Sequence, residues 1–128
     1  MKIKKIPETE LEIMQVVWSN PTPITTTRIK QILEEDRPWS QGALQSLLSR
    51  LIDRGFLKAG MKGKNKTFEP LVSEKEYLAV ESSSFLKKLR GGSITELVTA
   101  LYDSKAITEK DIEELDAFIG SVKKDEQR

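Results

Sequence analysis

Apolar residues along this chain recur first at helical spacing, shift to short strand-like runs, and then return to helical spacing to the end. The first stripe is Leu11, Met14, Val17 and Trp18, with Ile13 beside it. It predicts a helix of about three turns from near Pro7 to Trp18, ended by "SNPTP". Pro7 suits an early helical position, and Glu8 and Glu10 complement the positive end of the helix dipole. "ITTTRIKQILEED" predicts a short second helix with Thr25 as N-cap and Ile29, Ile32 and Leu33 as its buried side, stopped by Pro38.

The third helix comes from "WSQGALQSLLSRLIDRGFL", Trp39 to Leu57. Ser40 is a good N-cap, although the glutamate that would complete a capping box is missing. Leu44, Leu47, Leu48, Leu51 and Ile52 share one arc of the helical wheel, and Gly55 fits the position just past the end. Gly42, Ser46, Ser49 and Asp53 fall opposite, with Gln45 and Arg50 on the shoulders. Two short runs follow, Phe56 to Ala59 and Thr67 to Leu71, around the turn-rich "GMKGKNK", which predicts a β-hairpin. Three helices and a hairpin in this order predict a winged helix-turn-helix over residues 1–72, within a mainly α chain.

Residues 73–128 predict a helical region of three more helices. "SEKE", "SITE" and "TEKD" each match a capping box, the last with Asp in place of Glu or Gln. Gly91-Gly92 separates the first of these helices from the second, and "DSKAI" the second from the third. Their stripes (Leu78, Phe85, Leu86, Leu89; Ile94, Leu97, Val98, Leu101; Ile112, Leu115, Phe118, Ile119) cannot be buried by such helices alone. A second copy of the chain is the simplest way to complete that core, which makes this a dimerisation region. No internal repeat is visible, and "KKDEQR" reads as a frayed tail.

Composition narrows the chemistry. A chain of 128 residues is one domain, or a small domain with an appendage. Its net charge of +1 hides an asymmetry: 12 Lys/Arg against 8 Asp/Glu up to Pro70, then 9 against 12 from Leu71 onward. The basic first part suits a polyanion, the acidic second part a scaffold. The chain has no cysteine and no histidine, which removes disulfides, thiolate and imidazole metal sites, Ser-His-Asp triads and Cys nucleophiles. It also lacks a Walker-type loop and GxGxxG, so neither an enzyme nor a cofactor is expected. The carboxylates of "EELD" read as a solvated helix face. The start "MKIKKIPETELEIM" has no apolar h-region and no run approaches membrane-spanning length, so a soluble cytoplasmic protein is expected.

The candidate chemistry is nucleic-acid binding. Lys58, Lys62, Lys64 and Lys66 crowd the hairpin with no acid among them, as a loop following a phosphate backbone would. A lysine-rich turn alone is more often a solubilising tip; joined to the preceding helix, residues 40–54, it fits a wing beside a major-groove reader. On that helix Gln45 suits adenine, Ser46 and Ser49 suit base edges or phosphates, and Ala43 suits a thymine methyl. Arg50 suits a guanine or, this far along, a phosphate. Gly42 allows close approach, and Ser40 and Gln41 sit where helix N-terminal amides hold a phosphate. Trp18 and Trp39 adjoin apolar stripes and are expected in the core or at a hinge, not stacked on bases.

The pieces "ELEIMQVVW", "WSQGALQSLLSRLIDRGFL", "FLKKLRGG", "LVTALYD" and "EKDIEELDAFI" resemble, in order and over nearly the whole chain, the penicillinase and methicillin-resistance repressors and their copper-responsive relatives. The resemblance implies a homodimeric repressor of transcription that binds dyad-symmetric operators. For the β-lactam branch it also implies a membrane sensor protease and a cut in the C-terminal region. The cleavage junction of that branch, Asn followed by Phe, falls on Ala100 and Leu101 here, and Gly42 and Ala43 stand where Lys and Thr are typical. Copper sensing through a cysteine-rich tail does not fit a chain without cysteine. The alternative use of such a fold is protein contact, or a response to a small ligand at the dimer seam.

Overall fold

The structure is a computed structural model and describes residues 3–89, 91 and 93–126. Its elements run α1 (Glu8–Trp18), β1 (Ile24–Thr25), α2 (Thr26–Leu33), α3 (Gln41–Asp53), β2 (Leu57–Lys62), β3 (Asn65–Pro70), α4 (Glu74–Lys88), α5 (Ile94–Asp103) and α6 (Glu109–Glu126). The chain divides into two compact units, one up to Ser83 and one from Ser84.

In the first unit the caps appear where the sequence puts them. Thr25 Oγ1 accepts from the Arg28 amide at 3.1 Å, and Ser40 Oγ from the Ala43 amide at 3.1 Å, so each relieves one unpaired donor at its helix start. Helix α3 ends on Gly55, whose φ of 81° is the left-handed conformation that a side chain would resist. There the Phe56 amide donates to the Leu51 carbonyl at 2.9 Å and the Gly55 amide to Ile52 at 3.0 Å, a Schellman closure that turns the chain into the wing.

The wing differs from the expected hairpin in two ways. Its ladder continues to Lys62↔Asn65, so the turn is only Gly63 and Lys64, and most of "GMKGKNK" is strand. Gly63, with φ of 62°, supplies the positive φ that a two-residue hairpin turn requires. The sheet also has a third strand, with order β1-β3-β2, because Ile24 and Thr25 pair with Phe68 and Thr67. Two residues between Pro23 and a helix are too few to show alternation, so β1 leaves no periodic signal.

The core of this unit joins Ile13, Met14 and Val17 of α1 to Ile29 of α2, Leu44, Leu48 and Leu51 of α3, and Phe68 of the wing. Tyr77, from the start of α4, is also buried there and accepts a hydrogen bond from the Ile6 amide at 3.1 Å. Its ring meets Trp18 and Phe56, each at 5.8 Å between centroids, and the Trp18 indole N–H donates to the Val72 carbonyl at 2.9 Å. Trp39 is buried as well, with Arg37 lying 4.8 Å over its ring and paired to Glu12 at 2.8 Å. Both tryptophans are structural, as their stripes predict.

Helix α4 starts with a complete capping box. The Ser73 amide donates to Glu76 Oε1 and the Glu76 amide to Ser73 Oγ, each at 3.0 Å; the Ser73 backbone N–H first, and its hydroxyl second, hold the Glu76 carboxyl below its ordinary pKa. "TEKD" also closes in both directions, at 2.8 and 3.2 Å, so the shorter Asp111 reaches the Thr108 amide. "SITE" shows the Ser93 half, with the Glu96 amide at 3.3 Å from Ser93 Oγ. Gly91 takes a φ of 61° between α4 and α5, while Gly92 lies outside the described residues. Helix α6 runs on to Glu126, so most of the expected tail is helical. No residue of α5 or α6 is buried, and between these helices lies a largely apolar groove of about 460 Å³, walled by Val98, Tyr102 and Ile112.

Candidate nucleic-acid interface

The α3 face predicted to look outward does so. Gln41, Gly42, Ala43, Gln45, Ser46, Ser49 and Arg50 are all exposed, as is the cap Ser40. The structure divides that face in two. On one side a groove of about 320 Å³ gathers Gln41, Gln45 and Ser49 of α3 against Lys66 of β3. Leu48 and Phe68 form its apolar floor, and Thr26 of α2 closes the end. On the other side Arg50 turns toward α1, where its Nη1 lies 4.0 Å from Glu10 Oε1. Ala43, seven residues before Arg50, shares that shoulder by helical spacing. Ser46 and Gly42 lie on the line between the two sides.

Gly42 has open space beside it: a Cβ built there meets nothing within 4 Å. Glycine is therefore not demanded by packing, and Gly42→Ala is expected to raise stability by about 0.5 kcal/mol through helix propensity. Thermal unfolding checks this; a lowered Tm would mean that the backbone itself needs glycine at this turn.

The wing lysines are not equivalent: Lys62 and Lys66 lie on the ladder, and Lys64 lies in the turn between its strands. Lys62 ends β2 opposite Asn65, Lys64 sits in the turn, and Lys66 pairs with Met61. Side chains two apart on a strand share a face, so Lys66 lies on the face of Phe68 and Lys62 on the other. Lys66 Nζ stands 5.7 Å over the Phe68 ring, a cation–π contact that steadies the amine beside α3.

Two contributors lie outside the DNA-binding residues expected from the sequence. Thr26 follows the N-cap Thr25, and nothing in the pattern distinguishes a groove residue from a capping neighbour there. Glu10 is fully buried, and its Oε2 accepts from Nη1 of Arg54, the C-cap of α3, while Oε1 has no hydrogen-bond partner. Its signal was present in the sequence: Glu10, Ile13, Met14 and Val17 follow the i, i+3, i+4, i+7 spacing of a buried stripe. Among the described residues no cluster of acidic side chains could hold a metal ion, and no helix is long and apolar enough to cross a membrane.

A helix-turn-helix with a three-stranded wing, presenting a small polar helix face beside lysines, defines a winged-helix DNA-binding protein. The penicillinase repressor family model matches residues 6–121, and the chain belongs to that family of DNA-binding transcriptional repressors. It is 31% identical over 114 residues to the penicillinase repressor of Bacillus licheniformis, covering 89% of this chain and 88% of that protein. It is 26% identical over 114 residues to the methicillin resistance regulatory protein MecI of Mammaliicoccus sciuri, covering 89% of this chain and 92% of that one. Among solved structures it resembles the DNA-binding domain of the repressor BlaI, with a TM-score of 0.53 at 33% identity over 59% of this chain and 92% of that one. The monomeric form of Bacillus licheniformis BlaI in complex with the blaP half-operator gives a TM-score of 0.51 at 33% identity, over 59% and 92% of the two chains.

Proposed function

We propose that the chain works as a homodimer on a dyad-symmetric operator, each copy placing α3 in a major groove and its wing on the adjoining backbone. The observation that carries this reading is the convergence of Gln41, Gln45 and Ser49 with Lys66 on one exposed side of α3. Amide and hydroxyl groups there can exchange hydrogen bonds with base edges, while the lysines neutralise phosphates. A relative whose monomer is solved on a half-operator supports two copies on a whole one. The exposed apolar residues of the second unit, including Ile94, Tyr102, Phe118 and Ile119, supply the surface for pairing. Ala100 and Leu101 lie inside α5, both exposed, and a cut between them by a sensor protease would sever one of the pairing helices.

Selection of the full-length protein on a random duplex library tests this. The expected product is a pair of inverted half-sites whose centres are about one helical turn or a multiple apart. Affinity for it should fall with salt at a log–log slope of about −5 or steeper, from three wing lysines per copy at roughly 0.9 each. A selected duplex bound independently of salt, or a site without inverted symmetry, would count against the reading.

A further inference from the structure

We propose that Lys66 clamps one particular operator phosphate in the groove between β3 and α3 and so fixes the register of base reading, while Lys62 and Lys64 supply attraction without sequence choice. The inference rests on the DNA-reading role above and divides the labour within it. Three observations carry it.

The first is direction. The Lys66↔Met61 and Phe68↔Ala59 pairs share the face of the wing that meets α3, whereas Lys62 lies on the other face and Lys64 in the turn. The second is order. The Phe68 ring, itself buried in the core, stands 5.7 Å beneath the Lys66 amine, so less side-chain freedom remains to be lost on binding. The third is the chemistry of the groove. Its rim carries one positive charge and the hydrogen-bonding groups of Gln41 and Ser49, its lining contains no carboxylate, and its floor of Leu48 and Phe68 suits the apolar edge of a deoxyribose. A phosphodiester with its sugar matches that set.

A phosphate held at one fixed place beside Gln45 behaves differently from one held anywhere along a backbone. Phosphate contacts position a protein on DNA even though they carry no sequence themselves. In a complex of the wrong sequence α3 does not seat, and the phosphate opposite Lys66 is out of place. Loss of Lys66 therefore reduces discrimination as well as affinity.

The test uses the full-length protein with the duplex that it selects and with a scrambled duplex of equal length. Lys66→Ala is expected to weaken the selected duplex about tenfold more than the scrambled one, whereas Lys62→Ala with Lys64→Ala weakens both by one factor. Single neutral methylphosphonate linkages are then scanned through a half-site. At one linkage, neutralisation should cost the native protein about tenfold and Lys66→Ala less than about twofold. Lys66→Arg, which keeps the charge, should restore the selected duplex, and unchanged thermal unfolding shows that each variant is folded. Equal losses on both duplexes, or a scan with no coupled linkage, overturn the assignment while leaving DNA reading intact. A native protein that selects no duplex overturns the DNA reading, and this assignment with it.

Discussion

Arg54→Ala is expected to lower the unfolding free energy of the winged-helix unit by about 3 kcal/mol, the low end of the cost of stripping one partner from a buried ion pair. The Glu10 carboxylate has no exposed surface, and Arg54 gives it the hydrogen bond that compensates its burial. Removing the guanidinium leaves a charge in the core whose other oxygen already lacks a donor. The low end applies because the Arg54 side chain keeps 41% of its exposure, and because Arg50, 4.0 Å from Oε1, can move in. Urea unfolding measures the difference. The double variant Glu10→Met with Arg54→Met should recover most of it, since an apolar pair of similar volume has no charge to desolvate. A loss below about 1 kcal/mol for Arg54→Ala would mean that the carboxylate finds another partner, and that the pair does not hold α3 against α1.

The second large effect concerns assembly. Phe118→Asp combined with Ile119→Asp should convert the proposed dimer to a monomer at micromolar concentration, seen by light scattering. In this structure Phe118 is 62% exposed and Ile119 42%, next to Val122 on the same side of α6. Burying a side chain of this size contributes about 1.5–3 kcal/mol, and a carboxylate in its place adds a desolvation cost in each copy. Because two half-sites bound by one dimer share an effective concentration, affinity for the full operator should fall by about 10²–10³ while half-site affinity stays the same. A species of dimer mass in the double variant would place the pairing surface elsewhere.

Much of this architecture is legible in the sequence because its elements announce themselves locally. Ser40, Thr25 and Gly55 act within a turn of where they stand, and the leucine arc of α3 is set by a single periodicity. What is hidden depends on contacts between distant segments. Strand β1 exists because β3 passes beside Ile24, and the faces on which Lys62 and Lys66 lie depend on strand register, which a run of alternating Lys does not reveal. Glu10 shows the same limit in another form. Its position in the stripe was visible, but an acid at a helix start also suits the dipole, and only the approach of Arg54 from the C-cap of α3 tells the two roles apart. The outward face of α3 was legible as a face, yet its division into a groove side and an α1 side follows from what packs on either flank.

The empty space beside Gly42 bears on how such repressors diverge. A gene copy that gains an alanine there adds a methyl group to the exposed start of α3 without displacing a packed atom of the fold. Changes of target and losses of stability are ordinarily coupled, because most new side chains must displace old ones. At this position a new Cβ displaces nothing and helix propensity favours it, so a descendant of the proposed DNA reader can alter this part of the α3 face by a single substitution without losing stability.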